Sequence, residues 1–515
     1  MGDETAAQPA RWSLEVSDEA ELAGLVETMA ATLRAGDFVC LAGGLGAGKT
    51  TFARALIRSL LGDPEAEVPS PTFTLLQSYE APHLTLTHAD FYRLQGEDDL
   101  NEIGWDEAAE GALVLVEWPE RIADRLPADR YEITFGLVPA LGPGARTIAV
   151  AAHGTAAPRL EQARRIETLL ERAGFSGARR RFMTGDASTR AYERLTAADG
   201  SHAVLMISPP RTDAIVVRFG KPYHHVARLA GDIGPFLAID GGLAARGISV
   251  PRILAAEPRR GLAVIEDLGD EPIVRHGAPI PERYEAAVGL LAWMHDQPLP
   301  ETLAGPEGSQ YSVPPYDLDA LLIEAELVLD WYAPEVARIT LPASARANFI
   351  SICSRLFAEV LAGPKTWCLR DYHSPNLIWQ PNREGLARVG VIDFQDTVLG
   401  HPAYDLASLL QDARVTVPDA LELKLLGAYA QHRRSNQALF DMVSFAEAYA
   451  ILGVQRNTKI LGAFARLNKR DRKPQYLAHL PRIEGYLARG LAHPALHEMR
   501  FWYQTYLPRI LGLRR

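Results

Sequence analysis

The sequence predicts an α/β domain followed by a larger α+β domain with two lobes, and three observations support this fold class. Residues 43–51, GGLGAGKTT, lie between an apolar run and an amphipathic helix pattern. Polar side chains at Asp371, Asn376 and Asp393 follow apolar runs in the last third of the chain. The charge balance also changes, because residues 1–155 hold 10 Lys and Arg against 25 Asp and Glu, whereas the remainder holds 43 against 39.

Length and composition set the domain organisation. A chain of 515 residues is too long for one hydrophobic core, and its 47% hydrophobic and 23% charged residues are ordinary for a globular protein. The sequence predicts a first domain over residues 1–155. Residues 154–159, GTAAPR, are interpreted as a short linker. A smaller β-rich lobe is expected over residues 160–273 and a helical lobe over residues 274–515.

Several classes of protein are disfavoured by the sequence. The cysteines Cys40, Cys353 and Cys368 are widely spaced, so neither a disulfide framework nor a metal cluster is expected. The N-terminus lacks the basic start and apolar core of a signal peptide, and no apolar run reaches membrane-spanning length. We therefore expect a cytoplasmic location and no membrane partner. The acidic first domain should not attract nucleic acid by its own field.

The first domain alternates strand and helix patterns. A strand at residues 12–16 and an amphipathic helix at 19–33 precede the apolar run at 38–42 and a helix that ends near residue 61. Strands are then expected at residues 73–79, 84–87 and 112–116, with a closing hairpin formed by residues 131–138 and 147–151.

The glycine-rich segment between strand and helix has the pattern G-x-x-x-x-G-K-[ST]. Glycines allow backbone N–H groups to surround phosphate oxygens. The lysine would lie along the β- and γ-phosphates of ATP, and the following hydroxyl would bind Mg²⁺. The predicted nucleotide-binding residues of this P-loop NTPase domain are Gly43, Gly46, Ala47, Gly48, Lys49, Thr50 and Thr51.

Two of the predicted strands end in a carboxylate. Asp90 follows the strand near residue 87, and Glu117 follows the apolar strand at residues 112–116. A P-loop enzyme needs such groups to hold Mg²⁺ with Thr50 or to orient the attacking water, so both are predicted as catalytic and metal-site residues. The polar loop VPSPT at residues 68–72 is well placed to act as a switch segment.

The order GGLGAGKTT, SPTF, HADFYRL and LVEWPE resembles the TsaE family over about residues 12–153. The resemblance implies a small ATPase needed to make threonylcarbamoyladenosine in tRNA, with Thr72 in the switch segment and Trp118 beside the site. It also implies a TsaB–TsaD-like protein partner, so that tRNA is engaged only indirectly. A small-molecule kinase that uses the P-loop is the alternative, against which the lack of an obvious lid argues.

The second domain begins with short strands and continues with helices. Strands are expected around the loop GDASTR, at residues 202–207 and at 262–266, and helices at 160–173, 223–247, 281–297, 316–332, 343–361, 418–433, 441–464, 481–489 and 494–506. Backbone N–H groups at Gly185, Ser188 and Thr189 are predicted to cover nucleotide phosphates. Glu266 and Leu268, in a hinge-like EDLGD segment, are predicted to contact the nucleotide.

The segment LRDYHSPNL places Asp371 and Asn376 five positions apart in a loop, and an apolar strand then ends at Asp393. This is the spacing of a kinase catalytic loop followed by a metal-binding acid. Asp371 would accept the proton of a substrate hydroxyl, while Asn376 and Asp393 would bind Mg²⁺. The sequence therefore predicts a bilobal, protein-kinase-like fold for this domain.

These motifs resemble the aminoglycoside phosphotransferase family, and the continuation GHPAYDLASLLQDAR places Asp405 as a support for the catalytic loop. GDASTRAYERL, IEDLGDE, RDYHSPNLIW and QRNTKILGAFARL narrow the resemblance to AmgK-type kinases. That resemblance implies ATP-dependent phosphorylation of the anomeric hydroxyl of N-acetylmuramate and N-acetylglucosamine in cell-wall recycling. A non-catalytic binding module, or a kinase for another small hydroxylated substrate, remains as an alternative.

The second domain departs from the usual kinase pattern. Leu369 stands where a histidine is common, and the strand at residues 203–207 contains no lysine. Lys221 or Arg190 could supply the missing phosphate charge. The basic residues of the QRNTK and RLNKRDRK segments are interpreted as a solvated face, with Arg456 or Lys459 facing a sugar carboxylate as the alternative.

Overall fold

The structure is a computed structural model, and it describes residues 10–94, 100, 102–183, 190–211, 215–437 and 440–513. Within these residues no helix combines the length and the apolar character needed to cross a membrane. Cys40, Cys353 and Cys368 are all buried and free. The chain divides into two compact units, the first comprising residues 1–184, 192–206 and 254–257, and the second comprising residues 185–191, 207–253 and 258–515.

A seven-stranded sheet forms the centre of the first unit. Its strand order is β1-β7-β6-β2-β5-β4-β3; β2 runs parallel to β5 and β6, and β4 runs parallel to β5. The strands are β1 Ala10–Val16, β2 Phe38–Gly43, β3 Leu76–Ala81, β4 Leu84–Asp90, β5 Leu113–Glu117, β6 Tyr131–Leu137 and β7 Arg146–Ala152, and the helices are α1 Glu19–Thr32, α2 Lys49–Leu61 and α3 Trp105–Ala109.

The sheet brings the carboxyl ends of its parallel strands together. Strand β5 is buried along its whole length, as expected for an apolar strand covered on both faces. In the register of β4 with β5, Asp90 lies opposite Glu117, and in the register of β2 with β5, Leu41 lies opposite Glu117. The strand predicted at residues 73–79 begins only at Leu76, because residues 71–74 form turns.

The segment interpreted as a linker is helical and packs on the first unit. A 3₁₀ turn at Gly154–Ala156 leads directly into α4, Ala157–Ala173. Arg159 donates to both carboxylate oxygens of Asp37 at 2.6 Å, and Thr28 Oγ1 donates to Glu167 Oε2 at 3.0 Å. Ala156 and Leu160 are 1% exposed and belong to the core cluster of the sheet. The segment interpreted as a linker is therefore attached to the first unit by the burial of Ala156 and by the ion pair of Arg159 with Asp37.

The remaining strands of the first unit follow α4. Strands β8 and β9 pair antiparallel, with Arg180 Nε donating to Glu193 Oε2 at 2.6 Å, and β10 follows β9. Their bounds are β8 Arg179–Met183, β9 Ala191–Thr196 and β10 His202–Ile207.

The second unit is mainly helical. The helix predicted over residues 223–247 is two helices separated by a loop, and the one predicted over residues 316–332 ends early and is followed by a π-helical turn at Val328–Tyr332. From residue 215 onward the elements are β11 Val216–Arg218, β12 Lys221–Pro222, α5 Tyr223–Val226, α6 Gly234–Ala244, β13 Ile253–Glu257 (of which residues 254–257 belong to the first unit), β14 Leu262–Glu266, β15 Val274–Arg275, β16 Ala278–Pro279, α7 Pro281–Asp296, β17 Thr302–Ala304, β18 Gln310–Ser312, α8 Leu318–Ala325, α9 Ala333–Glu335, α10 Ala343–Leu361, β19 Thr366–Cys368, β20 Leu377–Trp379, β21 Val389–Val391, β22 Val398–Gly400, α11 Ala403–Leu410, α12 Asp419–Asn436, α13 Met442–Asp471, α14 Leu480–Gly490 and α15 His497–Tyr506.

Two candidate active sites

Three glycines between the end of β2 and the start of α2 adopt positive φ angles, which other residues rarely adopt. Gly43 has φ of +140°, and a Cβ there would lie 2.6 Å from the carbonyl oxygen of Phe135, so only glycine fits without a shift. Gly48 caps the N-terminus of α2 with φ of +110°, and Gly46 also has a positive φ. Ala47 is buried beneath the loop, whereas Thr51 is exposed on the first turn of the helix.

Lys49 is held inside this loop. Its Nζ donates to the carbonyl oxygens of Gly43 at 2.8 Å and Gly44 at 3.0 Å, and it lies 3.7 Å from the centre of the Trp118 ring. Burial lowers the pKa of Lys49, although the nearby carboxylates, chiefly that of Glu117, oppose this change. The ammonium group is therefore positioned by two carbonyl dipoles and an aromatic face.

Glu117 receives hydrogen bonds from two sides. Thr50 Oγ1 donates to its Oε2 at 2.8 Å, and His88 Nε2 lies 3.1 Å from its Oε1. His88 and Glu117 are 0% and 1% exposed, so this arrangement is shielded from water. The structure thus brings together the predicted P-loop hydroxyl and strand-end carboxylate, and it adds a histidine that the sequence reasoning did not assign.

Asp90, the second strand-end carboxylate, is tied to the switch-like segment. Thr72 Oγ1 donates to Asp90 Oδ2 at 3.0 Å, and the backbone N–H of Tyr92 donates to Asp90 Oδ1 at 3.0 Å. Ser70 Oγ lies 2.7 Å from Thr72 Oγ1. Thr72 is therefore hydrogen-bonded directly to a predicted metal-site acid, and Ser70 is connected to that acid through Thr72.

Arg146 supports the P-loop from β7 and was not found by sequence reasoning. Its Nε donates to Ala47 O at 3.0 Å, and its Nη2 donates to Gly46 O at 3.4 Å. These bonds satisfy two carbonyl groups of the P-loop. No local motif marks an arginine that acts across 99 residues of chain.

The catalytic-loop region of the second unit is shaped by two buried acids. Asp405 accepts the backbone N–H of Leu369 at 2.6 Å and of Arg370 at 2.8 Å, which agrees with its predicted supporting role. Burial raises the pKa of Asp405 to about 6, although the backbone N–H donors oppose this change. Asp412, which was not predicted, accepts the N–H of Ser374 at 2.9 Å and its hydroxyl at 2.6 Å.

The three predicted chemistry-bearing residues of this loop converge. Asn376 Nδ2 donates to the carbonyl oxygen of Asp371 at 2.9 Å and lies 3.5 Å from Asp393 Oδ2. Burial would raise the pKa of Asp371, but nearby cations, first Lys459, bring it below its ordinary value. Burial, with the charge of Asp371, raises the pKa of Asp393. The Asp371 carboxylate therefore stays ionised readily, whereas the Asp393 carboxylate lies beside the amide group of Asn376.

Arg190 contributes to this group. Its Nη1 donates to Asp393 Oδ1 at 3.1 Å, and its side chain is 8% exposed, whereas Lys221 is exposed on β12. Gly185, Ser188 and Thr189, predicted to cover phosphates, lie outside the described residues. Of the two residues that could supply the positive charge of the missing lysine, Arg190 lies beside the predicted metal-binding residue Asp393.

Glu266 and Leu268 lie at the end of β14 and just beyond it. The carboxylate of Glu266 contacts Arg383 Nη2 at 2.9 Å and Arg252 Nε at 3.2 Å. The carbonyl oxygen of Leu268 accepts a hydrogen bond from Gln380 Nε2 at 2.7 Å. Within the predicted nucleotide-binding hinge, Glu266 and Leu268 therefore contact the side chains of Arg383 and Gln380, which lie between β20 and β21.

Helix α6 contacts the predicted metal-binding strand end through aromatic rings. Phe236 stacks on Phe394 with ring centres 5.2 Å apart and planes 7° from parallel, and Phe394 directly follows Asp393. Asp393 has a φ of +60°, which is strained for a residue other than glycine. Burial, with the neighbouring Glu266, raises the pKa of Asp240 on the same helix to about 7.

The interpretation of QRNTK as a solvated face is wrong. Residues 455–458 are 1–4% exposed in the middle of α13, and Lys459 Nζ lies 2.8 Å from Glu324 Oε1. The same glutamate pairs with Arg370, the residue before Asp371. The middle turns of this 30-residue helix are buried although they are polar, and composition does not reveal this.

The oxygen donors at both sites fit Mg²⁺. Thr50, Asp90 and Glu117 supply a hydroxyl and two carboxylates at one sheet edge, and Asn376 and Asp393 supply an amide and a carboxylate at the other site. Among the described residues no group of three or more His, Cys, Asp and Glu is arranged to hold a metal ion. Mg²⁺ in nucleotide enzymes uses one or two protein carboxylates together with phosphates and water, so such a cluster is not required.

The fold and these sites define a protein with two separate phosphate-handling centres, one in a P-loop NTPase domain and one in a kinase-like domain. Residues 16–138 match the family described as threonylcarbamoyl adenosine biosynthesis protein TsaE. Residues 179–439 match the phosphotransferase enzyme family. The chain belongs to the phosphotransferase enzyme family and carries a TsaE-family domain ahead of its kinase domain. It is therefore an enzyme with phosphotransferase and ATPase activity.

Relatives of each domain are similar over most of their own length. An N-acetylmuramate/N-acetylglucosamine kinase of Caulobacter vibrioides is 40% identical over 347 residues, which cover 65% of this chain and 94% of that protein. A protein of the same name from Pseudomonas aeruginosa is 31% identical, covering 61% of this chain and 85% of that protein. A tRNA threonylcarbamoyladenosine biosynthesis protein TsaE of Rickettsia bellii is 40% identical over 123 residues, covering 24% of this chain and 85% of that protein.

Proposed function

We propose that this chain joins two activities. Residues 1–155 form an Mg²⁺-dependent ATPase that supports threonylcarbamoyladenosine modification of tRNA. Residues 160–273 and 274–515 form the two lobes of an ATP-dependent kinase that phosphorylates the anomeric hydroxyl of N-acetylmuramate or N-acetylglucosamine in cell-wall recycling. The observation that carries the kinase proposal is the convergence of Asp371, Asn376 and Asp393 in a chain that covers 94% of an amino-sugar kinase at 40% identity.

In the first domain, Lys49 would leave its carbonyl partners to contact the β- and γ-phosphates of ATP, and Thr50 would bind Mg²⁺. Asp90 and Glu117 would hold the hydrated ion or orient the attacking water. Bound Mg²⁺ would supply charge neutralisation at the phosphates. The acidic surface of this domain favours a TsaB–TsaD-like protein partner over direct contact with tRNA.

In the second domain, the substrate hydroxyl oxygen would attack the γ-phosphorus while its proton passes to the Asp371 carboxylate, and ADP would leave. A carboxylate whose pKa is held below its ordinary value stays ionised and able to accept that proton. Asn376 and Asp393 would hold Mg²⁺, and Arg190 would contribute positive charge near the phosphates. ATP and the amino sugar are cytoplasmic metabolites, so we place both reactions in the cytoplasm.

The kinase proposal is tested by ATP consumption with a panel of amino sugars. The Asp371→Asn variant should lose activity by about 10²-fold or more, because it removes the proton acceptor. Asp419→Asn, an exposed acid on α12, is the matched control and should behave as wild type. No sugar-dependent ATP consumption by the wild type would favour the non-catalytic binding module. Equal, non-zero consumption by wild type and Asp371→Asn would contradict the role of Asp371 as proton acceptor, and turnover of other alcohols only would favour another acceptor.

The ATPase proposal is tested in cells that depend on this gene for the tRNA modification. Lys49→Ala should abolish threonylcarbamoyladenosine, quantified by mass spectrometry of digested tRNA, whereas exposed Arg11→Ala on β1 should not. Nucleotide-dependent capture of TsaB–TsaD would support the partner. Normal modification levels in Lys49→Ala cells would contradict the proposal and favour a separate small-molecule kinase.

A further inference from the structure

One turn of α13 carries two cations that the proposed phosphoryl transfer does not use. Arg456 and Lys459 lie three positions apart, so they project from the same side of the helix. Both are close enough to the catalytic loop for their charges to lower the pKa of Asp371, after burial has raised it. The two cations therefore lie beside the group that would accept the substrate proton.

Arg456 lacks a carboxylate partner among the described residues. It is 4% exposed, and its Nη1 makes a long hydrogen bond of 3.5 Å to the carbonyl oxygen of Gln411. Its neighbour Asn457 is well anchored, because its Nδ2 donates to Gln411 Oε1 at 2.7 Å. A buried guanidinium is costly unless an anion compensates it, so this position is prepared for a negative group that comes from outside the chain.

Lys459 is only partly compensated. Its Nζ lies 2.8 Å from Glu324 Oε1, but the same carboxylate also pairs with buried Arg370. One carboxylate thus serves two cations, and the lysine side chain keeps 20% of its surface exposed. Lys459 can therefore reach a second anion without losing its anchor.

We propose that Arg456 and Lys459 form a carboxylate-recognition site that selects an acidic sugar as the phosphoryl acceptor beside Asp371. This inference rests on the proposed kinase function and refines its substrate class. Of the two sugars considered, N-acetylmuramate carries a carboxylate and N-acetylglucosamine does not. The site would hold that carboxylate through charge-assisted hydrogen bonds while the hydroxyl faces Asp371.

The rival role for the same two cations is binding of ATP phosphates, and the two roles make different predictions. A carboxylate site matters for the acidic sugar only. A phosphate site matters equally for every acceptor, because each reaction uses the same nucleotide. The ratio of kcat/KM for N-acetylmuramate to kcat/KM for N-acetylglucosamine therefore separates them.

The experiment measures this ratio for the full chain and its Arg456→Gln and Lys459→Met variants. We expect the ratio to fall about 10- to 100-fold in Arg456→Gln, mainly through a higher KM for N-acetylmuramate. Lys469→Met, an exposed lysine on the same helix, is the control and should keep the wild-type ratio. Equal losses on both sugars would overturn the inference and leave the kinase function standing.

A measurement on the wild-type chain covers the case in which a variant fails to fold. The methyl ester of N-acetylmuramate lacks the negative charge, and its KM should exceed that of the acid by about tenfold or more. An unchanged KM would overturn the inference without any substitution. Turnover of neither sugar by the wild-type chain would refute the proposed function and this inference together.

Discussion

His88 Nε2 lies 3.1 Å from Glu117 Oε1, and the other oxygen of this carboxylate accepts the hydroxyl hydrogen of Thr50. The imidazole therefore sets the orientation of an acid that faces the P-loop. His88 and Asp90 are two residues apart on β4, so their side chains leave the same face of the strand. That alternation was a signal in the sequence from which His88 could have been assigned to the site.

Replacing His88 should slow ATP hydrolysis by the first domain. His88→Ala leaves one oxygen of a buried carboxylate without its donor, and we expect kcat to fall about tenfold as Glu117 loses its orientation. Steady-state phosphate release measures the effect. His83→Ala, in the exposed turn between β3 and β4, should match wild type. An unchanged kcat in His88→Ala would show that the histidine only fills space.

Phe236 should support the kinase site through Phe394. Phe236→Leu removes the stacked ring that borders the strained backbone of Asp393, and we expect kcat for sugar phosphorylation to fall about five- to tenfold, with about 1 kcal/mol lost from stability. Kinetics and thermal unfolding are measured together. Phe501→Leu, at an exposed ring, is the control. Loss of stability with unchanged kcat would contradict a positioning role.

Buried His401 should make the second unit less stable in mild acid. Burial lowers the pKa of His401 from 6.5 to about 4. Below pH 6.5, His401 is protonated in the unfolded chain but stays neutral in the folded chain. The free energy of unfolding therefore falls as the pH drops from 6.5 toward 4. The loss is about 2 kcal/mol at pH 5. Buried His295 is shifted in the same direction and adds to the effect.

The measurement for His401 is the unfolding midpoint between pH 7.5 and pH 5. His401→Gln cannot titrate, so its midpoint should fall less steeply than that of wild type. His276→Gln, at an exposed position, should keep the wild-type slope. Identical slopes for wild type and His401→Gln would contradict the assignment.

Leu160 should stabilise the P-loop domain although it lies beyond the predicted boundary. Leu160→Ala removes a side chain that is 1% exposed in the core of the sheet, at a cost of about 2–5 kcal/mol. Hydrogen exchange of the β1 and β7 amides should become faster. Leu141→Ala, at a 57% exposed position, is the control. Unchanged exchange in these strands would show that α4 does not stabilise the sheet.

The sequence predicted what is encoded locally. Glycine spacing and strand-end acids placed Lys49, Thr50 and Glu117 at one edge of a sheet, since parallel strands share their carboxyl ends. Spacing in the catalytic loop likewise placed Asp371 near Asn376. Contacts between residues far apart in the sequence were not predicted. Examples are the hydrogen bonds of Arg146 to the P-loop and the ion pair of Lys459 with Glu324. Composition also misled: Ala156 in the predicted linker is buried in the core of the sheet, and the polar residues 455–458 are buried in the middle of α13.

The indole of Trp118 gives the first domain an optical reporter. Its ring lies 3.7 Å from the Lys49 ammonium, and the ring of Tyr92 lies 5.0 Å away on centres. If Lys49 turns toward nucleotide phosphates, as proposed, a positive charge leaves the face of the indole, and the fluorescence emission of Trp118 should change. Among the eight tryptophans of the chain, Trp118 can be identified by the signal that Trp118→Phe removes. Binding of ATP to the first domain would then be measurable by tryptophan fluorescence before any phosphate is released.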